Sequence, residues 1–117
     1  MPHIETSQVG HVLEIKVNRA EKHNALSPEM YRDLARAYGE LNRNPELRAA
    51  LLYGEGSHFT SGIELDKWAP IFASGQAFET GEGEIDPLGL RGPRHNKPVV
   101  MAVQGNCFTW GVEIMLN

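Results

Sequence analysis

Apolar and polar residues alternate over residues 3–18, and this period of two is typical of half-buried β-strands. The segment VLEIKV at residues 12–17 is rich in the branched side chains that favour strands. Gly10 interrupts the alternation just before this segment, at a point where a tight turn would fit. We therefore expect a β-hairpin near the start of the chain.

The period lengthens after Ser27-Pro28, where a helix is predicted to begin. Serine is a good N-cap because its hydroxyl accepts from a free amide of the first turn, and proline fits the first helical position. Apolar residues then form one stripe from Met30 to Leu41. Asn44-Pro45 is expected to end the helix, since the residue before a proline disfavours helical backbone angles.

Two later segments share one layout, in which a short apolar strand leads through a glycine turn and small residues into a helix. These are LLYGEGSHFTSGIELDKW at residues 51–68 and VVMAVQGNCFTWGVEIMLN at residues 99–117. We expect both strands to be buried. The repeated order of strand, turn and helix predicts an α/β fold with parallel strands.

The connection between these two segments, residues 74–96, is long and contains five glycines and four acidic residues. Connections of this kind are usually mobile, functional or both. We expect it to form a mobile cover over a binding pocket. The preceding helix would line that pocket with Trp68, Ile71 and Phe72.

Composition narrows the class of protein without identifying it. The 117 residues carry a formal net charge of −4 with scattered lysines and arginines, so no basic face for nucleic acid is expected. Cys107 is the sole cysteine, which excludes an intramolecular disulfide, and the five histidines lack metal-ligand spacing. No apolar run is long enough for a membrane span and no secretory signal is recognisable, so we expect a cytoplasmic protein without a metal site.

The repeated layout has a chemical implication. The first turn of a helix presents backbone N–H groups that have no partner within the helix, together with a partial positive charge. Two such turns brought together could direct two N–H groups at one oxygen atom. That arrangement is an oxyanion hole, which stabilises negative charge that develops during a reaction.

Three stretches carry a resemblance to a known family: NRAEKHNAL, GEGSHFTSGIEL and KPVVMAVQGNCFTWGVEIML. Together and in this order they resemble the enoyl-CoA hydratase/isomerase, or crotonase, superfamily. The resemblance covers essentially the whole chain but only the front part of the family's domain. It implies an α/β, crotonase-like spiral of ββα units that is incomplete. Residues 1–117 would then be the N-terminal part of a crotonase-like acyl-CoA-binding domain, and of a longer protein.

The resemblance implies roles for three positions in catalysis. The backbone N–H groups of Ile63 and Trp110 would form the oxyanion hole. The family usually has glycine at the second of these positions, and tryptophan keeps the N–H while adding bulk. Glu113 falls where the family's hydratases carry a catalytic glutamate, and a residue three positions after Trp110 shares its helix face. Glu113 would act as general acid/base; the alternative is a carboxylate placed there only by the helix dipole.

The resemblance also implies a set of substrate-binding positions. Lys22 would meet a phosphate of coenzyme A and the Ala25 backbone would border the adenine, the alternative being an exposed loop with a solvated charge. Glu64 stands where aspartate is common in the family. The full set is Lys22, His23, Ala25, Ser61, Gly62, Glu64, Leu65, Asp66 and Trp68. No cofactor is implied other than coenzyme A as part of the substrate.

The activity implied by the resemblance is an acyl-CoA thioester reaction, most specifically hydration of a 2-enoyl-CoA. Enoyl-CoA isomerisation and acyl-CoA hydrolysis stay open, because one fold can carry several reactions. A non-catalytic acyl-CoA binder or a structural fragment is the alternative from another class, since the family's second glutamate would lie beyond Asn117. The family's trimer-forming helices would also lie there, so a homotrimer or hexamer is expected only of the full-length domain.

Overall fold

The computed structural model of the protein describes residues 2–76 and 78–117. Strands and α-helices follow one another in the order ββαβαβα, with a short 3₁₀ turn at Ala20–Lys22 between β2 and α1. The strands are β1 (Ile4–Val9), β2 (Val12–Val17), β3 (Ala49–Gly54) and β4 (Val99–Ala102). The helices are α1 (Pro28–Arg43), α2 (Leu65–Ser74) and α3 (Trp110–Leu116).

The four strands form one sheet in the order β1-β2-β3-β4. The predicted hairpin is confirmed: β1 and β2 are antiparallel, Val9 pairs with Val12, and Gly10 takes a positive φ of 60° in the two-residue turn. β2, β3 and β4 run parallel, as the repeated strand-turn-helix layout predicted. Because they are parallel, the carboxyl ends of these three strands lie at one edge of the sheet.

Helix α1 covers one face of the sheet and has the predicted ends. The Ser27 hydroxyl accepts a hydrogen bond from the Met30 N–H at 3.1 Å, Pro28 is the first helical residue, and Asn44 is the C-cap. The apolar stripe of the helix is buried and packs with inward-facing residues of the sheet, such as Ile15 and Leu52, into one core.

The prediction that both later strands are buried holds for only one of them. In β3, Ala50 and Leu52 are buried, but in β4 the side chain of Val100 is 59% exposed. The physical reason is that β4 is the last strand of the sheet and packs on one side only. Val99 and Met101 point to the core, and the alternate residues point away from it.

Residues 74–96 are attached to α1 over much of their length, which argues against a freely moving cover. The Ile85 N–H donates to the Ala35 carbonyl at 3.0 Å, and the Arg43 guanidinium donates to the Gly83 carbonyl at 3.0 Å. Glu84 forms ion pairs with two arginines of the same helix, Arg32 and Arg36. Residue 77 of the predicted cover lies outside the described residues.

The buried carboxylate of Asp86 fixes the next turn of this connection. It accepts hydrogen bonds from the Tyr31 hydroxyl at 2.8 Å and from the backbone N–H groups of Leu88, Leu90 and Arg91. A single side chain of the connection therefore organises its own backbone and ties it to α1. Within the described ranges, no helix is both long enough and apolar enough to cross a bilayer.

Replacing Asp86 by alanine should release this turn. We expect the free energy of unfolding to fall by about 2–3 kcal/mol, because several buried donors lose their acceptor. Amide hydrogen exchange at Leu88 and Leu90 should accelerate, as measured by NMR. The matched control is Glu82→Ala, an exposed acidic residue of the same connection. Unchanged exchange in the Asp86 variant would contradict the anchoring role.

Candidate active site

The loop after β2 is attached to the loop after β3 by the buried side chain of Asn24. Its Oδ1 accepts the Arg19 N–H at 2.8 Å, and its Nδ2 donates to the carbonyls of Glu55 at 2.9 Å and His58 at 3.0 Å. Asn24 has a positive φ of 57°, a conformation that asparagine tolerates better than most residues. The Asn24 side chain therefore joins two loops by hydrogen bonds at the carboxyl ends of the parallel strands.

A second buried side chain, Thr60, connects these loops to the one before α3. Its hydroxyl donates to the Asn24 carbonyl at 2.8 Å and accepts from the Gly62 N–H at 3.1 Å and from the Trp110 indole Nε1–H at 2.8 Å. One donated and two accepted bonds use the full capacity of a hydroxyl. The Thr60 hydroxyl lies on the loop after β3, and it thus bonds to the loop after β2 and to the segment after β4.

Backbone bridges place the same loops side by side. Leu26 forms a parallel bridge with Ile63, and Thr60 forms one with Cys107. In the first bridge, the hydrogen bonds use the Gly62 carbonyl and the Glu64 N–H. The N–H of Ile63 therefore faces away from Leu26.

The amides of Ile63 and Trp110 are the two predicted oxyanion donors. Neither N–H donates to an acceptor among residues 2–76 and 78–117. The loops that carry them are in contact, since a Cβ added to Gly62 would lie 3.4 Å from the Thr109 Oγ1. The structure therefore brings together two peptide groups with free donors.

Each donor follows a residue with positive φ. Gly62, before Ile63, has a φ of 121°, and Thr109, before Trp110, has a φ of 46° and a ψ of −106°. A β-branched residue in this region is a genuine outlier, and such conformations cost about 1–3 kcal/mol. Because a peptide plane is set by the angles of the residue before it, Thr109 determines where the Trp110 N–H points.

The side chain of Trp110 does not occupy the space in front of its own amide. It is buried, its ring packs against Phe59 with centroids 5.6 Å apart, and its Nε1–H donates to the Gly62 carbonyl at 3.0 Å as well as to Thr60. The bulk expected from replacing the family's glycine is therefore directed into the core.

Glu113 lies one helical turn after Trp110, with its N–H bonded to the Thr109 carbonyl at 3.1 Å. Its side chain is exposed, whereas Trp110 and Ile114 on the same short helix are buried. The carboxylate lines an open cleft of about 410 Å³. The other residues that line this cleft are Leu88, Gly89, Leu90, Arg94, Leu116 and Asn117.

The structure places Lys22, His23 and Ala25 beside the first donor loop. The Ser61 N–H donates to the His23 carbonyl at 2.9 Å, and the Ser61 hydroxyl lies 3.5 Å from the Lys22 carbonyl. The side chains of Lys22, His23 and Ser61 are exposed, while Ala25 is half-buried and its N–H donates to the Lys22 carbonyl. These four positions form a continuous surface next to Gly62.

Glu64 is engaged in an ion pair that the sequence interpretation did not anticipate. Its carboxylate lies 2.6 Å and 2.9 Å from the two terminal nitrogens of Arg19, and 3.5 Å from Lys67. The hydrogen bonds from Arg19 hold the pKa of the Glu64 carboxyl below its usual value. The pair joins the loop after β2 to the start of α2, which commits this carboxylate to the scaffold.

The remaining predicted binding residues divide between surface and core. Leu65 is 70% exposed and Asp66 is exposed in the first turn of α2. Trp68 is buried, donates from its Nε1 to the Leu26 carbonyl at 2.9 Å, and packs on Phe72 and Phe78. It lines a cleft of about 260 Å³ with Pro28, Tyr31, Arg32, Ile71, Gln76, Phe78 and Glu79. This cleft is separate from the one beside Glu113.

Cys107 and the histidines supply no alternative centre in the part of the chain described. Burial raises the pKa of the Cys107 thiol, which favours the unreactive protonated form. No group of three His, Cys, Asp or Glu side chains among the described residues has a geometry that could hold a metal ion.

Sequence reasoning missed four residues that position this site: Arg19, Asn24, Thr60 and Thr109. Asn24 carried a usable signal, because asparagine in an aperiodic loop between strand and helix is suited to a positive φ. The roles of Thr60 and Arg19 depend on partners 36 or more residues away, which no local pattern reveals.

Comparisons with known proteins show the family to which the chain belongs. The family model described as enoyl-CoA hydratase/isomerase matches residues 7–117. The chain is 37% identical over 109 residues to enoyl-CoA hydratase EchA19 of Mycobacterium tuberculosis, covering 91% of this chain and 40% of that protein. It is 36% identical over 113 residues to mevalonyl-coenzyme A hydratase SIDH of Beauveria bassiana, with the same coverage.

Among solved structures, a probable enoyl-CoA hydratase/isomerase from Mycobacterium abscessus superposes with a TM-score of 0.91 at 40% identity, covering 98% of this chain and 44% of the other. The chain belongs to the enoyl-CoA hydratase/isomerase family, and its fold is the crotonase fold in incomplete form. It spans about 40% of the length of the curated relatives described above.

The Arg19–Glu64 pair makes a testable contribution to stability. In Glu64→Gln, we expect the free energy of unfolding at neutral pH to fall by about 2 kcal/mol, because a hydrogen bond between charged groups is weakened. In the wild type, a lowered folded-state pKa stabilises the protein above the ordinary value of 4.5, and this stabilisation is lost as the pH falls through the folded-state pKa.

Urea unfolding at a series of pH values measures this effect. The Gln variant should lose stability less steeply on acidification than the wild type does. The matched control is Glu46→Gln, an exposed carboxylate in the turn before β3, which should behave like the wild type. If the Glu64 variant kept the wild-type acid dependence, the ion pair would not be a stabilising contact.

Proposed function

We propose that this chain provides the oxyanion hole of an acyl-CoA thioester enzyme of the crotonase type, and that its most specific activity is hydration of a 2-enoyl-CoA. The observation that carries the proposal is the pair of amides at Ile63 and Trp110, which have no acceptor within residues 2–76 and 78–117. Each lies on a loop that has a positive φ at the preceding residue. Free donors of this kind, fixed before a substrate arrives, are what stabilisation of an oxyanion requires.

In the proposed reaction, the thioester carbonyl oxygen accepts both N–H groups. A water molecule gives up a proton to a base, for which Glu113 is proposed, as its oxygen forms a bond to the β-carbon. The π electrons of the double bond move toward the carbonyl, and negative charge builds on the carbonyl oxygen. Proton transfer to the α-carbon then completes the addition. Losing one oxyanion donor typically costs about 3 kcal/mol in barrier height, so these two amides would dominate catalysis.

Glu113 is proposed as the group that moves a proton or orients the water. Its position one turn after Trp110, with an exposed carboxylate in an open cleft, is compatible with access by both substrate and water. The match to the enoyl-CoA hydratase/isomerase family model spans residues 7–117 and so includes Glu113. Family membership also leaves double-bond isomerisation as a second candidate, since it is part of the family's description.

The coenzyme A portion is proposed to lie along the surface formed by Lys22, His23, Ala25 and Ser61. This surface adjoins Gly62 and therefore the first donor, and Lys22 supplies an exposed positive charge for a phosphate. We propose no cofactor beyond the coenzyme A of the substrate, a cytoplasmic location, and assembly as a homotrimer or hexamer for a full-length domain.

Glu113→Gln tests the catalytic assignment. Because the amide cannot accept the proton, turnover of crotonyl-CoA should fall about 100-fold or more, which is the lower range for general acid–base catalysis. Turnover is followed by the absorbance of the conjugated thioester. Binding of a non-reactive acyl-CoA, measured by calorimetry, should stay within about twofold because oxyanion donors are retained. Glu82→Gln, in the acidic connection, serves as the matched control.

The outcomes separate the candidate functions. Unchanged turnover in Glu113→Gln would remove the catalytic role of this residue. Binding of acyl-CoA by the wild-type chain without any turnover would support the non-catalytic binder instead. Neither binding nor turnover by the wild-type chain would leave a structural fragment as the better description.

Lys22→Ala tests the placement of coenzyme A. Losing one exposed ion pair costs up to about 1 kcal/mol, so affinity for an acyl-CoA should fall about fivefold. Affinity for the corresponding acyl-pantetheine, which lacks the phosphorylated nucleotide, should not change. Arg48→Ala is the control, since Arg48 is exposed and bonds through its N–H to the hairpin turn at the opposite edge of the sheet. Equal losses for both ligands would contradict the phosphate contact.

A further inference from the structure

The indole of Trp110 crosses from one donor loop to the other. The backbone N–H of this residue is the second proposed donor, while its side chain bonds to Thr60 and to the Gly62 carbonyl on the loop that carries the first. One residue therefore belongs to both halves of the site. Glycine, which the resemblance leads us to expect at this position, has no side chain that could make these contacts.

The hydrogen bonds of the indole join the two donor loops beyond the point where backbone hydrogen bonds between these loops end. The Thr60 N–H donates to the Asn106 carbonyl at 3.1 Å, and the Phe108 N–H donates to the Thr60 carbonyl at 3.3 Å. Beyond that point, no backbone hydrogen bond joins residues 61–63 to residues 109–110 within the described chain. The two donor residues lie beyond the last of these backbone bonds. There, the hydrogen bonds that join the Trp110 residue to the loop of Ile63 come from Trp110 Nε1.

The indole also contacts the same peptide group that supplies the first donor. The Gly62 carbonyl and the Ile63 N–H belong to one peptide unit. That carbonyl already accepts the Leu26 N–H at 2.8 Å, and the indole adds a second bond at 3.0 Å. Hydrogen bonds to a carbonyl polarise the peptide and strengthen its N–H as a donor, by about 10–30% per bond.

The start of α3 is packed too closely for the indole to shift without disturbing the loop. A Cβ added to Gly111 would lie 2.7 Å from the Cys107 Sγ and 2.9 Å from the Thr60 Cγ2. The ring of Trp110 fills the adjacent space against Phe59. Close packing and the two hydrogen bonds therefore fix one orientation of the side chain.

We propose that the Trp110 side chain is a positioning device that sets the direction of the Ile63 N–H relative to the Trp110 N–H and polarises the 62–63 peptide. The effect of Trp110 on catalysis rests on the proposed oxyanion hole. Its effect on the orientation of the two N–H groups does not. Thr60 is the partner through which the indole acts, and both side chains are needed for the fixed geometry.

The test uses Trp110→Phe, which keeps the aromatic ring and the backbone donor but removes the Nε1–H. A second pair, Thr60→Val and Thr60→Ser, removes or retains the hydroxyl with little change in volume. Tyr38→Phe is the control for losing a polar atom from a buried aromatic residue, since the Tyr38 hydroxyl has no hydrogen-bond partner among the described residues.

The first readout needs no ligand: the NMR order parameter and residual dipolar coupling of the Ile63 amide. We expect an order parameter of about 0.85, typical of a rigid backbone, in the wild type, in Thr60→Ser and in Tyr38→Phe. In Trp110→Phe and Thr60→Val the order parameter should fall below about 0.6. A wild-type order parameter and coupling in both Trp110→Phe and Thr60→Val would overturn the proposal. If Trp110→Phe does not fold, the Thr60 pair decides by the same criterion.

The second readout is the infrared carbonyl stretch of a bound, non-reactive acyl-CoA thioester. The wild-type protein should lower its frequency, and Trp110→Phe and Thr60→Val should each remove at least half of that shift while Thr60→Ser restores it. A full shift in Thr60→Val would overturn the proposal. Failure of the wild-type chain to bind the thioester would count against the proposed function alone, because the ligand-free readout still decides the role of Trp110.

Discussion

The hydrogen bonds made by two buried side chains, Asn24 and Thr60, are the constraint on which the site depends. The loops that follow parallel strands begin at one edge of the sheet. The hydrogen bonds between the strands end there and do not hold the loops together. Here the Asn24 amide and the Thr60 hydroxyl join those loops, together with the backbone bridges Leu26–Ile63 and Thr60–Cys107. Since the Thr60 hydroxyl and both N–H groups of the Asn24 amide are fully used in these bonds, a change in one loop is transmitted to the others.

Parts of the fold governed by neighbouring residues could be predicted from the sequence. The cap at Ser27, the proline after it and the end at Asn44 are local signals, and the structure has α1 with those ends. The hairpin at Gly10 is local in the same way. The order of strand, turn and helix was enough to predict parallel pairing because a crossover helix returns the chain in the same direction.

What could not be predicted depends on distant partners. The acidic, glycine-rich connection has a composition typical of mobile segments, yet Asp86 and Glu84 find partners on α1 more than 45 residues earlier. β4 has the composition of a buried strand, but its exposure follows from its place at the end of the sheet. In the site, the proposed donor positions came from the resemblance, but no pattern in the sequence indicates that the indole of Trp110 turns inward.

Under the proposed function, the inward orientation of Trp110 would couple substrate chemistry to the stability of the protein. In a site lined by glycine amides, the catalytic backbone and the hydrophobic core can vary separately. In the proposed site, one residue would serve both, so substitutions in the core around Phe59 would alter reactivity. New substrate preferences would then arise more readily at solvent-facing positions such as Leu65 than at the donors themselves.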